Sequence, residues 1–127
     1  MIYREMGKVI FNEEIAEGIY KTVFISPNIS SSSIPGQFVN ILPSLNWDNV
    51  MRRPMSIASQ GNDEISIIYK SVGEGTRIMA NWAIGEKVDL IGPLGNYWRG
   101  YNIKYPILEL HVLHYDTNLY HMHHIII

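Results

Sequence analysis

The chain has 127 residues, 46% hydrophobic and 17% charged, with a net charge of −2, which suits one globular domain able to bury its own core. That balance offers no basic field for nucleic acid or an anionic membrane, and no apolar run reaches the roughly 18 residues of a membrane span. The opening MIYREMGKVIFNEE lacks the apolar stretch of a secretion signal, and the absence of cysteine suits a reducing, cytoplasmic setting while removing any cysteine ligand for an iron–sulfur cluster.

Short alternating runs divided by turn residues predict six strands in the first hundred positions. Lys8–Asn12 is the first, and Ile19–Ser26 the second, with Ile19, Val23 and Ile25 on one face and Tyr20, Thr22 and Phe24 on the other. Pro27 and the serines 30–33 read as a flexible loop. Pro35-Gly36 then turns the chain into Gln37–Leu42. A second loop, Pro43–Val50, leads to a strand over Arg53–Ala58. Gln60-Gly61-Asn62-Asp63 is a hairpin signal before the strand Ile65–Tyr69. One short helix is predicted from Arg77 to Trp82, capped by Thr76 and stopped by Gly85. The sixth strand is Val88–Ile91, closed by Gly92-Pro93. Six short strands with one helix point to a small all-β, six-stranded antiparallel barrel, because closure removes sheet edges.

The composition changes abruptly near the end. All five histidines lie between His111 and His124, no Lys or Arg follows Lys104, and no glycine follows Gly100. The break predicts out-of-frame or unrelated sequence from about Glu109. The histidines could ligate zinc, nickel or copper, but their spacing follows no clear strand or helix and Asp116 is the only acidic support in view. No metal site is assigned.

Three segments can carry chemistry. In Arg52-Arg53-Pro54-Met55-Ser56, a guanidinium offers paired planar donors for phosphate oxygens, Pro54 keeps the preceding residue out of a helical path, and Ser56 presents a hydroxyl. In Gly73-Glu74-Gly75-Thr76, glycines let a ligand approach the backbone where a helix opens. Gly92-Pro93-Leu94-Gly95-Asn96 is a rigid loop leaving a strand. Singly, these segments are a solvated arginine pair, a capped glycine turn and a plain turn. Their order along the chain is more specific.

With Pro35-Gly36-Gln37-Phe38 and Ile67–Lys70, these segments resemble the flavin-binding domain of the ferredoxin-NADP reductase superfamily. Within it they are most similar to the electron-transfer subunits of bacterial NAD-linked dihydroorotate dehydrogenases, over roughly Gly7 to Leu108. The resemblance implies a Greek-key order for the strands, a barrel domain over residues 1–100 and, over 101–127, the start of a further domain before the atypical tail. It also implies FAD, with Arg53 gripping its pyrophosphate and Ser56 near the redox-active edge of the ring. It places Pro54 and Met55 along the flavin, and Ile68, Tyr69 and Lys70 on the ribityl or adenine side. Gly75 and Thr76 would bond the phosphates through backbone and hydroxyl. No residue is expected to act as nucleophile or acid–base catalyst, since the flavin carries the electrons.

The resemblance further implies electron flow between NAD(H) and an FMN-containing dihydroorotate dehydrogenase catalytic subunit in pyrimidine biosynthesis. The alternatives are the flavin subunit of another NAD(P)H-linked complex, of sulfide dehydrogenase or ferredoxin-NADP reductase type, or a remnant barrel without catalysis. The family's iron–sulfur cysteines and glycine-rich nicotinamide turn have no counterpart after Tyr105-Pro106-Ile107-Leu108. A barrel lacking its second half leaves apolar surface bare, which predicts self-association.

Overall fold

A computed structural model describes residues 1–46 and 51–99, together with the backbone of residues 109–116 and 119–126. The chain begins with a long strand, β1 (Tyr3–Ala16), followed by β2 (Ile19–Ile25). β1 outruns the predicted Lys8–Asn12 because its polar residues are engaged rather than solvated. Glu5 accepts hydrogen bonds from Ser26, Asn28 and Ile29, Asn12 holds a helix end, and Glu14 accepts from Gly18 and Tyr20. Two irregularities in the β1–β2 register bend the strand, so its first half pairs with one neighbour and its second half with another.

The predicted serine loop is instead a short helix, α1 (Pro27–Ser32), with proline in its first turn. Its amide donors Asn28 N and Ile29 N reach the Glu5 carboxylate at 3.3 and 3.2 Å. A cap supplied from more than twenty residues away is invisible to local sequence.

The next strands are β3 (Phe38–Leu42), β4 (Arg53–Ser56), β5 (Ser59–Gly61) and β6 (Glu64–Lys70). Asn62 and Asp63, at φ 53° and 64°, form the two-residue turn between β5 and β6. The hairpin expectation holds, but a turn this tight frees Ser59–Gly61 to be a strand of its own. The second helix is α2 (Glu74–Ala80), three residues earlier than predicted, with Thr76 inside its first turn rather than at its cap. β7 (Lys87–Leu94) runs through Gly92-Pro93 instead of ending there.

The antiparallel sheet has the order β4-β3-β7-β1-β2-β6-β5. Its end strands, β4 and β5, are joined by Ile57 and Ala58 alone, so the sheet must curl. Ile57 N–H donates to Gln37 O at 3.1 Å and Ala58 N–H to Ser66 O at 2.8 Å, which hands one segment from the β3 side to the β6 side. The result is a half-barrel of seven strands with two helices, against the six strands and one helix read from sequence.

Val9, Phe24, Val39, Ile41, Ile65, Ile67, Val88 and Leu90 fill its interior, joined by Ile29 of α1 and Met79 of α2. Burying each such side chain stabilises the fold by about 1.5–3 kcal/mol. Trp82 packs edge-on to Phe24 at 5.6 Å and donates its indole N–H to Pro43 O at 3.0 Å.

Two further strands, β8 (Glu109–Asp116) and β9 (Leu119–Ile126), pair antiparallel as a second sheet. The sequence predicted no ordered element there. Tyr105–Leu108 and the side chains of the histidines lie outside the described residues, and with them the question of metal ligation. Among the described residues, no helix is long and apolar enough to cross a membrane.

Candidate functional site

Consecutive residues of a strand face opposite ways, and the two arginines of Arg52-Arg53 illustrate the consequence. Arg53 pairs with Ile41 and Met55 with Val39, both core positions, so Arg53 and Met55 share the inner face of β4. Pro54 and Ser56 take the outer face and are exposed. As an edge strand, β4 tolerates Pro54, which has no N–H to donate to a ladder.

Arg53 reaches the opening of α2. A Cβ placed on Gly75 would lie 2.8 Å from Arg53 Nε and 3.1 Å from its Cζ, so any side chain there would displace the guanidinium from its present place. Arg53 Nη1 donates to Met51 O at 2.8 Å. Among the described residues it has no acidic partner. A cation that makes no ion pair among the described residues, set against a glycine at the start of a helix, is an arrangement that can receive an anion.

Thr76 organises that turn. Its Oγ1 accepts from Val72 N at 2.9 Å and Gly73 N at 3.0 Å, and donates to Gly73 O at 3.2 Å. The hydroxyl expected to meet phosphate is therefore engaged within the loop, and its role is to shape the 72–76 backbone.

The other end of α2 is fastened from β1. Asn12 Nδ2 lies 3.0, 3.3 and 3.1 Å from the carbonyl oxygens of Met79, Ala80 and Trp82. Asn12 Oδ1 accepts from Thr22 Oγ1 at 2.7 Å and from Tyr69 OH at 3.4 Å. Carbonyls that a helix end leaves without partners are satisfied in this way.

The three predicted residues of β6 divide by face. Ile68 and Lys70 are exposed, while Tyr69 is 6% exposed and stacked on Tyr20 at 6.0 Å. Burial pushes the Tyr69 hydroxyl up to about 12, with Thr22's hydrogen bond opposing and the Tyr20 charge adding to the rise. β5 pairs with β6 only across Glu64–Ser66, so residues 67–70 have no strand neighbour on that side among the described residues.

Sequence reasoning missed Asp89. Val88 and Leu90 face the core, so Asp89 lies on the outer face of β7, yet its side chain is only 2% exposed. Arg4 covers it with Nη2 at 2.7 Å from Oδ2, and Arg52 with Nη2 at 2.8 Å from Oδ1. Burial alone would raise its pKa; hydrogen bonds and charge from Arg4 and Arg52 outweigh burial and hold the carboxyl below the usual range. The signal was an aspartate within the apolar run KVDLIG, since buried carboxylates persist only when paired. Arg52, expected to be solvated, is this carboxylate's partner.

The remaining motif segments are brought together at the start of β3. Trp98 N–H donates to Pro35 O at 2.8 Å, and Gln37 Nε2 donates to Gly95 O at 3.0 Å. Gly36, at φ 101°, packs under the Trp98 ring where a Cβ would sit 2.8 Å away. Phe38 pairs with both Ser56 and Leu94.

No family model matches the chain. The electron transfer subunit of dihydroorotate dehydrogenase B (NAD(+)) from Fusobacterium nucleatum is 42% identical over 94 residues, covering 72% of this chain and 35% of that protein. The corresponding subunit from Bacillus velezensis is 42% identical over 87 residues, covering 67% and 34%. The chain thus spans about a third of the length of the curated relatives it matches. A solved NADH-dependent reduced ferredoxin-NADP oxidoreductase, described for flavin-based electron bifurcation, superposes with a TM-score of 0.68 at 28% identity, over 75% of this chain and 34% of its own. Across these shared residues the chain is a homologue of the electron transfer subunits of dihydroorotate dehydrogenase B, with a ferredoxin-reductase-type fold.

Proposed function

We propose that residues 1–100 form an FAD-binding electron-transfer domain. It would serve a cytoplasmic complex that passes electrons between NAD(H) and an FMN-containing dihydroorotate dehydrogenase catalytic subunit in pyrimidine biosynthesis. The observation that carries this reading is Arg53 set against Gly75 at the opening of α2, in a chain 42% identical over 94 residues to such a subunit. The chemistry fits a pyrophosphate: a guanidinium with no acidic partner among the described residues lies against the backbone of a glycine.

FAD, when bound, supplies the exchange between a hydride and single electrons. The chain's residues bind and orient. Arg53 anchors the pyrophosphate, Gly75 leaves room for it, and Thr76 fixes the loop that presents backbone N–H groups. Pro54, Met55 and Ser56 line the flavin along β4, with Ser56 toward the reactive edge. Ile68 and Lys70 flank the open edge of β6, where backbone groups can meet the ribityl or adenine side, while Tyr69 holds that strand from beneath. In this reading the strands close as a Greek-key barrel, and residues 101–127 begin a nicotinamide-binding domain before an out-of-frame or unrelated tail. The 127 residues hold no cysteine and so do not fit a cysteine-ligated cluster.

A second reading, the flavin subunit of another NAD(P)H-linked oxidoreductase, draws on the 28% identity to the ferredoxin-NADP oxidoreductase. Copurification with candidate catalytic subunits separates the two, because only the true partner should remain bound.

The test is an FAD titration of the full chain, followed by quenching of flavin fluorescence. Saturable binding that Arg53→Ala weakens by about 1.5–3 kcal/mol, the scale of a charged hydrogen bond, supports the reading. A folded chain that binds no FAD would leave a remnant barrel whose exposed Met1, Ile2, Met51 and Ile84 favour self-association.

A further inference from the structure

We propose that Asp89 is a positioning residue for the flavin phosphates, acting through Arg52 to hold Arg53 against Gly75. The inference rests on the flavin reading above and concerns how that site is aimed.

Stability is a weak reason for the Arg4–Asp89–Arg52 group. Paired buried charges seldom stabilise more than apolar residues of the same volume would, because both ions lose their water. The group lies on the outer face of the sheet, whereas Arg53 works on the inner face. What links them is a single peptide bond.

Arg52 stretches across β3 to reach β7. Its Nη1 lies 3.4 Å from Asn40 O and 3.3 Å from Asp89 O, while Nη2 meets Asp89 Oδ1 at 2.8 Å. Three acceptors on two strands therefore fix the residue immediately before Arg53. The start of β4 has few other restraints. It is an end strand of four residues, it begins at Arg53, and the residue after Arg53 is a proline that cannot donate to β3. The side chain of Arg52 supplies the anchorage that Pro54 withholds from the backbone.

The demand for precision is visible at Gly75, where the guanidinium already occupies the space of a missing Cβ at 2.8 Å. Groups that bind a ligand bidentately need placement to within about 0.5 Å. Arg4 differs from Arg52 in this respect: it neutralises Asp89 from β1, is 72% exposed, and makes no hydrogen bond to β4 among the described residues. The adjacent arginines thus have separate tasks, one fastening the strand and the other meeting the ligand.

The experiment measures FAD affinity by fluorescence quenching, and melting temperature in parallel, for the full chain and its Asp89→Asn, Arg52→Lys, Arg4→Ala, Arg53→Ala and Asp89→Asn/Arg53→Ala variants. Asp89→Asn and Arg52→Lys should each lower affinity about tenfold, the coupling expected of contacting residues, and Arg4→Ala by less than about twofold. On the Arg53→Ala background, Asp89→Asn should add less than about twofold while still lowering the melting temperature. A merely structural role predicts otherwise: Asp89→Asn would cost the same affinity with or without Arg53, or none at all, and either result overturns the proposal. Should Asp89→Asn fail to fold, Arg52→Lys, which keeps the charge and loses the planar fork, decides alone. If the unmodified chain binds no FAD, the flavin reading falls and takes this inference with it. If it binds and only Arg53→Ala weakens binding, the flavin reading stands and this inference falls.

Discussion

The two ends of α2 are built for different purposes. At its C-terminal end, Asn12 gathers three carbonyls and joins the Thr22–Tyr69 pair, tying the helix to β1, β2 and β6. At its N-terminal end, Gly73 and Gly75 bring no side chain, Glu74 sits between them, and Arg53 approaches Gly75 without an ion-pair partner among the described residues. One end satisfies the backbone and the other leaves it available. A short helix held rigidly at one end can present the other accurately to a ligand, which is how a scaffold supports a binding loop.

The contrast is broken most severely at the fastened end. Asn12→Ala strips partners from the carbonyls of Met79, Ala80 and Trp82 and from two hydroxyls, so unfolding in urea should show a loss of about 3 kcal/mol. At the open end the same measurement should move little. Arg53→Ala is expected to change stability by less than about 0.5 kcal/mol, although it damages FAD binding.

Gly75→Ala sharpens the comparison because its two effects have opposite signs. Gly75 has an ordinary helical backbone, and alanine there should raise unfolding stability by roughly 0.5 kcal/mol. The new Cβ meets the flexible end of Arg53, so the guanidinium shifts and FAD affinity should fall by about 1 kcal/mol. A variant that gains stability and keeps its affinity would show that Arg53 need not sit where it does.

The smallest effect is read by pH. Tyr69, pushed up to about 12 by burial, should ionise later than exposed tyrosines in an ultraviolet titration, and Tyr69→Phe should remove that late phase. The sign follows from the shift. A hydroxyl raised above its unfolded value contributes stability that is fully present below about pH 10 and lost as pH rises toward its folded value.

Much of this architecture was legible in the sequence. Alternation placed strands where the structure has them, Gln60-Gly61-Asn62-Asp63 marked the hairpin, and Arg53 and Gly75 were named by the resemblance before their proximity was known. What escaped were interactions made at a distance. α1 depends on Glu5 for its cap, and serines alone gave no helical signal. β1 looked short because Glu5 and Glu14, outside the predicted Lys8–Asn12, find their partners at Ser26, Ile29 and Tyr20, which local pattern does not show. Thr76 read as a cap because a threonine before an apolar run usually is one, whereas here the helix begins two residues earlier at Glu74. Only the resemblance separated Arg53 from Arg52; residue chemistry read both as a solvated pair, whereas the pleat places them on opposite faces with Asp89 paired to Arg52. Residues 109–126 departed in composition from all that precedes them, and composition said nothing of the β8–β9 pairing.

The most direct test of the central claim, that Arg53 and Gly75 hold a flavin pyrophosphate, compares FAD with riboflavin on the full chain and on Arg53→Ala. The full chain should bind FAD far more tightly than riboflavin, which has no phosphate. Arg53→Ala should remove most of that preference while riboflavin binding stays unchanged. Equal affinity for the two flavins, or an Arg53→Ala variant that keeps its preference for FAD, would contradict that claim.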